Sequence, residues 1–136
     1  MNENERFIFE LTKELAENGI PEYQFKLGSM YHHGEYVKQD ISKAFELYMM
    51  AANKNIYEAQ FNLGIMYYYG DGVEKNIHES IRWYKKAAKL GDYRSQYNLG
   101  VIYIDGDGVP KNNKLAADYF AESAKTLMRK HESIQI

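Results

Sequence analysis

In the middle of the chain, Ala59, Leu63, Met66 and Tyr67 fall at i, i+4, i+7 and i+8, the spacing of one face of an α-helix. That run meets Gly70-Asp71-Gly72-Val73, where glycine can take the positive φ that closes a helix. A second apolar face follows at Ile77, Ile81, Tyr84 and Ala88. Asn76 stands just ahead of it, with a short polar side chain suited to accept from the free amides of a helix N-terminus. Gly91 lies where this second helix should end. The pattern predicts a helix, a tight turn, a second helix and a glycine stop.

The same pattern recurs on both sides with a step of 36 residues, a period that signals stacked units. Leu27-Gly28, Leu63-Gly64 and Leu99-Gly100 share one register; so do Gln24, Gln60 and Gln96, and Tyr31, Tyr67 and Tyr103. Gly34, Gly70 and Gly106 align, followed by Val37, Val73 and Val109. In the second helices Tyr48, Tyr84 and Phe120 align, as do Ala52, Ala88 and Ala124. Asp40 and Asn112 are capping candidates equivalent to Asn76, and Asn55 replaces the closing glycine in the first copy. A glycine inside a helix costs about 1 kcal/mol relative to alanine, so Gly64 implies a helix crossing it closely.

Residues 7–19 fit the register of a second helix, since Ala16 aligns with Ala52 and Gly19 with Gly91. They are expected to form a worn half-copy that caps the stack. Leu127 replaces the closing glycine of the third copy, so the last helix should continue through Arg129 or His131. The expected layout is one all-α domain over 1–136: a capping helix at 1–19, units at 20–55, 56–91 and 92–127, and an extension at 128–136.

Composition narrows the functional classes. A formal charge of -2 lacks the basic excess that phosphate neutralisation requires, so nucleic acid is not an expected partner. The basic group within residues 125–130 reads as a favourable cation set near a helix C-terminus. With no cysteine, disulfides, thiolate metal sites and cysteine nucleophiles are excluded. No apolar run approaches the roughly 20 residues that span a bilayer, so no membrane insertion is expected. The acidic start, Met1-Asn2-Glu3-Asn4-Glu5, does not read as a secretory signal, and taking Met1 as the natural start the expected location is the cytoplasm.

Candidate chemistry adds little. Asp105-Gly106-Asp107-Gly108 has the look of a calcium loop but lacks the later ligands of an EF-hand, and the middle copy uses the same string as a turn. His32 and His33 are adjacent, whereas two ligands on one helical face need i, i+3 or i, i+4 spacing; His78 and His131 are isolated. All four read as ordinary surface histidines. No nucleophile with its base, no catalytic residue and no cofactor site can be named, so an enzyme is not expected.

The string Glu58-Ala59-Gln60-Phe61-Asn62-Leu63-Gly64-Ile65-Met66-Tyr67, with Gly70-Asp71-Gly72-Val73 and Trp83-Tyr84-Lys85-Lys86-Ala87-Ala88, resembles the Sel-1-like repeat, a relative of the tetratricopeptide repeat. The likeness covers residues 20 to about 127; Glu35-Tyr36 departs from it in the first turn, and Ser123 and Leu127 in the third copy. It implies an all-α, right-handed α/α superhelix, a solenoid of three helix-turn-helix units behind the capping helix. It also implies a concave surface lined by the first helices, and a function as a protein-binding adaptor or scaffold. Narrower alternatives are an immunity protein that neutralises a cognate bacterial toxin and, in another class, a hydrolase of cell-wall or β-lactam-like substrates.

Carried over from the Leu-Gly register, the expected binding positions are Phe25, Ser29, His32 and His33 in the first copy. The middle copy supplies Phe61, Ile65, Tyr68 and Tyr69, and the third Tyr97, Val101, Ile104 and Asp105. A surface this aromatic suits protein recognition. Two placements are open for Phe25, Phe61 and Tyr97: on that surface, or filling the gap between successive units. Tyr68, Tyr69 and Ile104, at the helix ends, are expected to be exposed. The expected partner is a protein or peptide, and a homodimer through the terminal helices is left open.

Overall fold

The computed structural model describes residues 1–134, which form seven α-helices and, among the described residues, no strand. A lone helix α1 (Glu3–Glu17) is followed by three pairs: α2 (Pro21–His33) with α3 (Ile41–Ala52), α4 (Tyr57–Tyr69) with α5 (Ile77–Lys89), and α6 (Tyr93–Asp105) with α7 (Asn113–Ile134). Each pair packs most extensively on itself, and each first helix also packs on the second helix of the unit before it. The result is an all-α repeat solenoid.

Local chemistry sets the helix ends. Asn2 and Glu5 form a capping box at the start of α1, the Glu5 amide donating to Asn2 Oδ1 at 2.8 Å. The predicted caps Asp40, Asn76 and Asn112 each accept from the amide three residues on, at 3.0, 3.1 and 3.0 Å. Their own amides donate back to the Tyr31, Tyr67 and Tyr103 carbonyls at 2.9, 2.8 and 2.9 Å, which closes each helical hairpin. Gly34, Gly70 and Gly106 end the first helices at φ of 68°, 70° and 66°, and Asn55 takes the same left-handed conformation at φ 65°.

Packing explains the other repeated positions. A Cβ on Gly64 would lie 2.5 Å from the Tyr84 ring; on Gly28 it would meet Tyr48 at 2.9 Å, and on Gly100 Phe120 at 2.6 Å. The Leu-Gly pair therefore exists to let an aromatic of the partner helix lie on the backbone. Gln24, Gln60 and Gln96 are buried, and each donates from Nε2 to the carbonyl of Ala16, Ala52 or Ala88, at 3.4, 3.1 and 3.1 Å. These carbonyls lie in the last turns of α1, α3 and α5, where each also accepts from the amide three residues on, and the glutamine adds a second donor that ties one unit to the next.

The final helix reaches Ile134, beyond the Arg129 or His131 expected from the pattern. Tertiary contacts hold the helix as far as Lys130, whose Nζ lies 5.7 Å and 5.3 Å from the Tyr57 and Tyr93 ring centroids, while Thr126 Oγ1 donates to Gln96 Oε1 at 2.9 Å. No described helix is long and apolar enough to cross a membrane.

Candidate functional site

The face lined by α2, α4 and α6 carries the predicted binding positions, and the structure divides them. Phe25 and Phe61 are half-buried, leaning on Tyr48 and Tyr84 at centroid distances of 5.7 and 6.1 Å. The Arg94 guanidinium from the following unit lies 4.0 Å from the centre of Phe61. Tyr97 makes the same contact to Phe120, at 5.3 Å, yet is 54% exposed because no helix pair follows it among the described residues. Phe61 thus fills the gap to the next unit, Phe25 rests on Tyr48 of its own unit, and Tyr97 lies open.

Helix-end positions split in the same way. Tyr69 is 73% exposed and Ile104 38%, as expected of a recognition surface. Tyr68, expected to be exposed, is half-buried: its hydroxyl donates to Asp107 Oδ2 in the turn of the next unit. That bond, aided by burial and by the Asp107, Tyr69 and Asp105 charges, pushes the Tyr68 phenol up to about 12. His32, aligned with Tyr68, acts likewise. Its Nδ1 is 3.2 Å from the Tyr48 hydroxyl and its Nε2 3.3 Å from Asp71 Oδ2, an arrangement met when Nε2–H donates to the carboxylate.

His32 is therefore not an ordinary surface histidine but a clasp between the first and second units. The signal was present in the sequence, since His32 to Asp71 and Tyr68 to Asp107 share one offset. His33 is exposed and Ser29 half-buried, with Ser29 Oγ and His33 Nδ1 3.3 Å apart. Asp105 is exposed, while Ile65 and Val101 are half-buried.

Asp92 escaped the pattern reading. It is buried, caps α6 by accepting from the Ser95 amide and, at 2.6 Å, from Ser95 Oγ, and pairs with Arg94 Nε at 3.0 Å. It thereby sets the Arg94 side chain that covers Phe61. An Asp-x-x-Ser string at a helix start was its available signal; Ile20 and Ile56 occupy the equivalent positions and make no side-chain cap.

Between the second and third units lies a pocket of about 210 Å³ lined by Ile65, Tyr68 and Tyr69 of α4, Tyr84 of α5, and Asn98, Val101 and Ile102 of α6. Tyr84 is buried, and burial pushes its phenol up to about 12. Asn98 also borders a shallower hollow with Phe61, Arg94 and Tyr97, so the two depressions adjoin. Among the described residues no group of His, Asp and Glu is arranged to hold a metal ion. Apolar side chains are also exposed on the terminal helices, at Phe7, Ile8 and Leu11 of α1 and Leu127 and Met128 of α7.

The Sel1 repeat matches the chain three times, at residues 21–56, 58–92 and 94–125. The chain belongs to the Sel1 repeat family. Members of this family are generally non-catalytic protein-interaction modules. Among solved structures, a Sel1 repeat protein from Oxalobacter formigenes is 35% identical with a TM-score of 0.84, over 87% of this chain and 48% of that one. A protective antigen of uropathogenic Escherichia coli with an SLR fold is 34% identical, TM-score 0.85, over 87% of this chain and 25% of that one. Helicobacter pylori cysteine rich protein B is 29% identical, TM-score 0.64, over 70% of both chains. This Sel1 chain thus spans about half of the first and a quarter of the second. No curated protein matches it.

Proposed function

We propose that this Sel1 repeat protein captures a segment of a protein partner along the face lined by α2, α4 and α6. The observation that carries the proposal is the exposure of Tyr69, Tyr97 and Ile104 there, around two adjoining hollows. Tyrosine supplies large contact area with few rotatable bonds, and exposed apolar groups beside a depression favour association. His32 holds the first two units in register beneath this surface, and Tyr68, tied through its hydroxyl to Asp107, holds the second and third while its ring lines the hollow between them.

The test is a selection of random dodecapeptides displayed on phage against the purified chain. Enriched peptides are expected to lose binding to a variant with Tyr69→Ser, Tyr97→Ser and Ile104→Ser, whose melting temperature stays near that of the wild type. They should still bind a variant with Met50→Ser and Leu90→Ser, exposed residues of the second-helix layer. Loss of binding in the second variant but not the first, or no enrichment at all, refutes the proposal.

A further inference from the structure

Resting on that reading, we infer that the pocket between the second and third units receives a cationic side chain, lysine or arginine, from the bound segment. The pocket offers aromatic faces first. The Tyr68 and Tyr69 rings meet with centroids 4.9 Å apart and planes at 73°, which forms a corner, and Tyr84 lies below. Electron-rich ring faces attract ammonium and guanidinium groups.

Charge at the mouth has the complementary sign. Asp105 stands one turn beyond Val101 on the same face of α6, and Asp107 is held on the Tyr68 hydroxyl. Both carboxylates act on Tyr68, raising its phenol. Helices α4 and α6 also end at this edge, at Gly70 and Gly106, so the negative ends of two helix dipoles converge there. The protein's own Lys75 places Nζ 5.9 Å from the centre of the Tyr68 ring, within the outer range at which a ring attracts a cation.

An apolar occupant fits less well. A peptide laid over the mouth would take the Asp105 carboxylate out of water, and without a cation that charge would be left unpaired. A lysine or arginine stem meets Ile65 and Val101 while its head group meets the rings and carboxylates. The equivalent junction between the first two units lacks this set: His32 and His33 replace the tyrosine corner, Ser29 replaces Ile65, and Tyr69 stands in place of Asp105. The preference therefore belongs to one junction and fixes the register of the bound segment.

The test uses four capped pentapeptides, acetyl-Ala-Ala-X-Ala-Ala-amide with X as arginine, lysine, norleucine or glutamate, titrated into the 15N-labelled chain. The arginine and lysine peptides are expected to shift the Tyr69, Asn98, Val101 and Asp105 signals with millimolar affinity, at least about fivefold tighter than norleucine. Asp105→Asn should remove most of that preference while the remaining spectrum stays in place, and added salt should weaken it. Equal binding of norleucine or glutamate, shifts elsewhere on the chain, or no binding overturns the inference. Phage peptides that bind this face without an enriched basic residue would do so as well, while leaving the interaction-module reading intact.

Discussion

Gly64→Ala separates the close-packing account from helix propensity, because the two predict opposite signs. Propensity alone makes alanine the better residue inside α4 by about 1 kcal/mol. The new Cβ, however, would lie 2.5 Å from two carbons of the Tyr84 ring, against an ordinary separation of about 3.5–4.0 Å. Tyr84 is buried and cannot swing into solvent. Helix α5 cannot simply retreat either, since Ser80 Oγ donates to the Gly64 carbonyl at 2.6 Å. Overpacking of this kind costs about 1–3 kcal/mol, and stretching the serine bond adds about 0.5–1.5 kcal/mol. Against the propensity gain the net loss is about 0.5–3.5 kcal/mol, which for a chain of this length lowers the melting temperature by roughly 2–12 °C. Thermal denaturation followed by far-ultraviolet circular dichroism measures it. Gly100→Ala should cost less, because Phe120 is only half-buried and can move outward. A melting temperature for Gly64→Ala equal to or above that of the wild type refutes the account.

Gln60→Leu removes one of two donors to the Ala52 carbonyl, the Asn55 amide remaining at 3.1 Å, and also removes Gln60 Oε1, which has no partner, so a loss of no more than about 1 kcal/mol is expected. Gln96→Leu should cost more, because Gln96 Oε1 accepts from the buried Thr126; urea denaturation ranking the two in the opposite order sinks this reading. Tyr48, Tyr68 and Tyr84 are each pushed up to about 12, above the value near 10 of the unfolded chain. The folded state holds those protons more tightly, so the stabilisation is complete below pH 10 and is lost as pH rises from 10 towards 12. Absorbance titration of the tyrosines with parallel circular dichroism should show a late-ionising group and helix loss over that interval. Ionisation of all 13 tyrosines near pH 10 with unchanged helicity contradicts it.

The repeat period, the hairpin turns and the caps at Asp40, Asn76 and Asn112 were legible in the sequence because they depend on backbone conformation and on bonds between residues three to nine apart. The Leu-Gly pair announced a close crossing, and the Tyr84 ring supplies it. The binding surface was legible only as a set of positions. Tyr68 and Tyr69 are neighbours of one residue type, yet one is tied to Asp107 and the other is largely exposed. Phe61 and Tyr97 share a register, but among the described residues only Phe61 has an arginine of another unit over its ring. Periodicity reports what the chain does along itself, where each residue meets neighbours fixed by helical geometry. Which aromatic is left for a partner depends on contacts with a unit more than thirty residues away, and those exist only once the helix pairs are stacked.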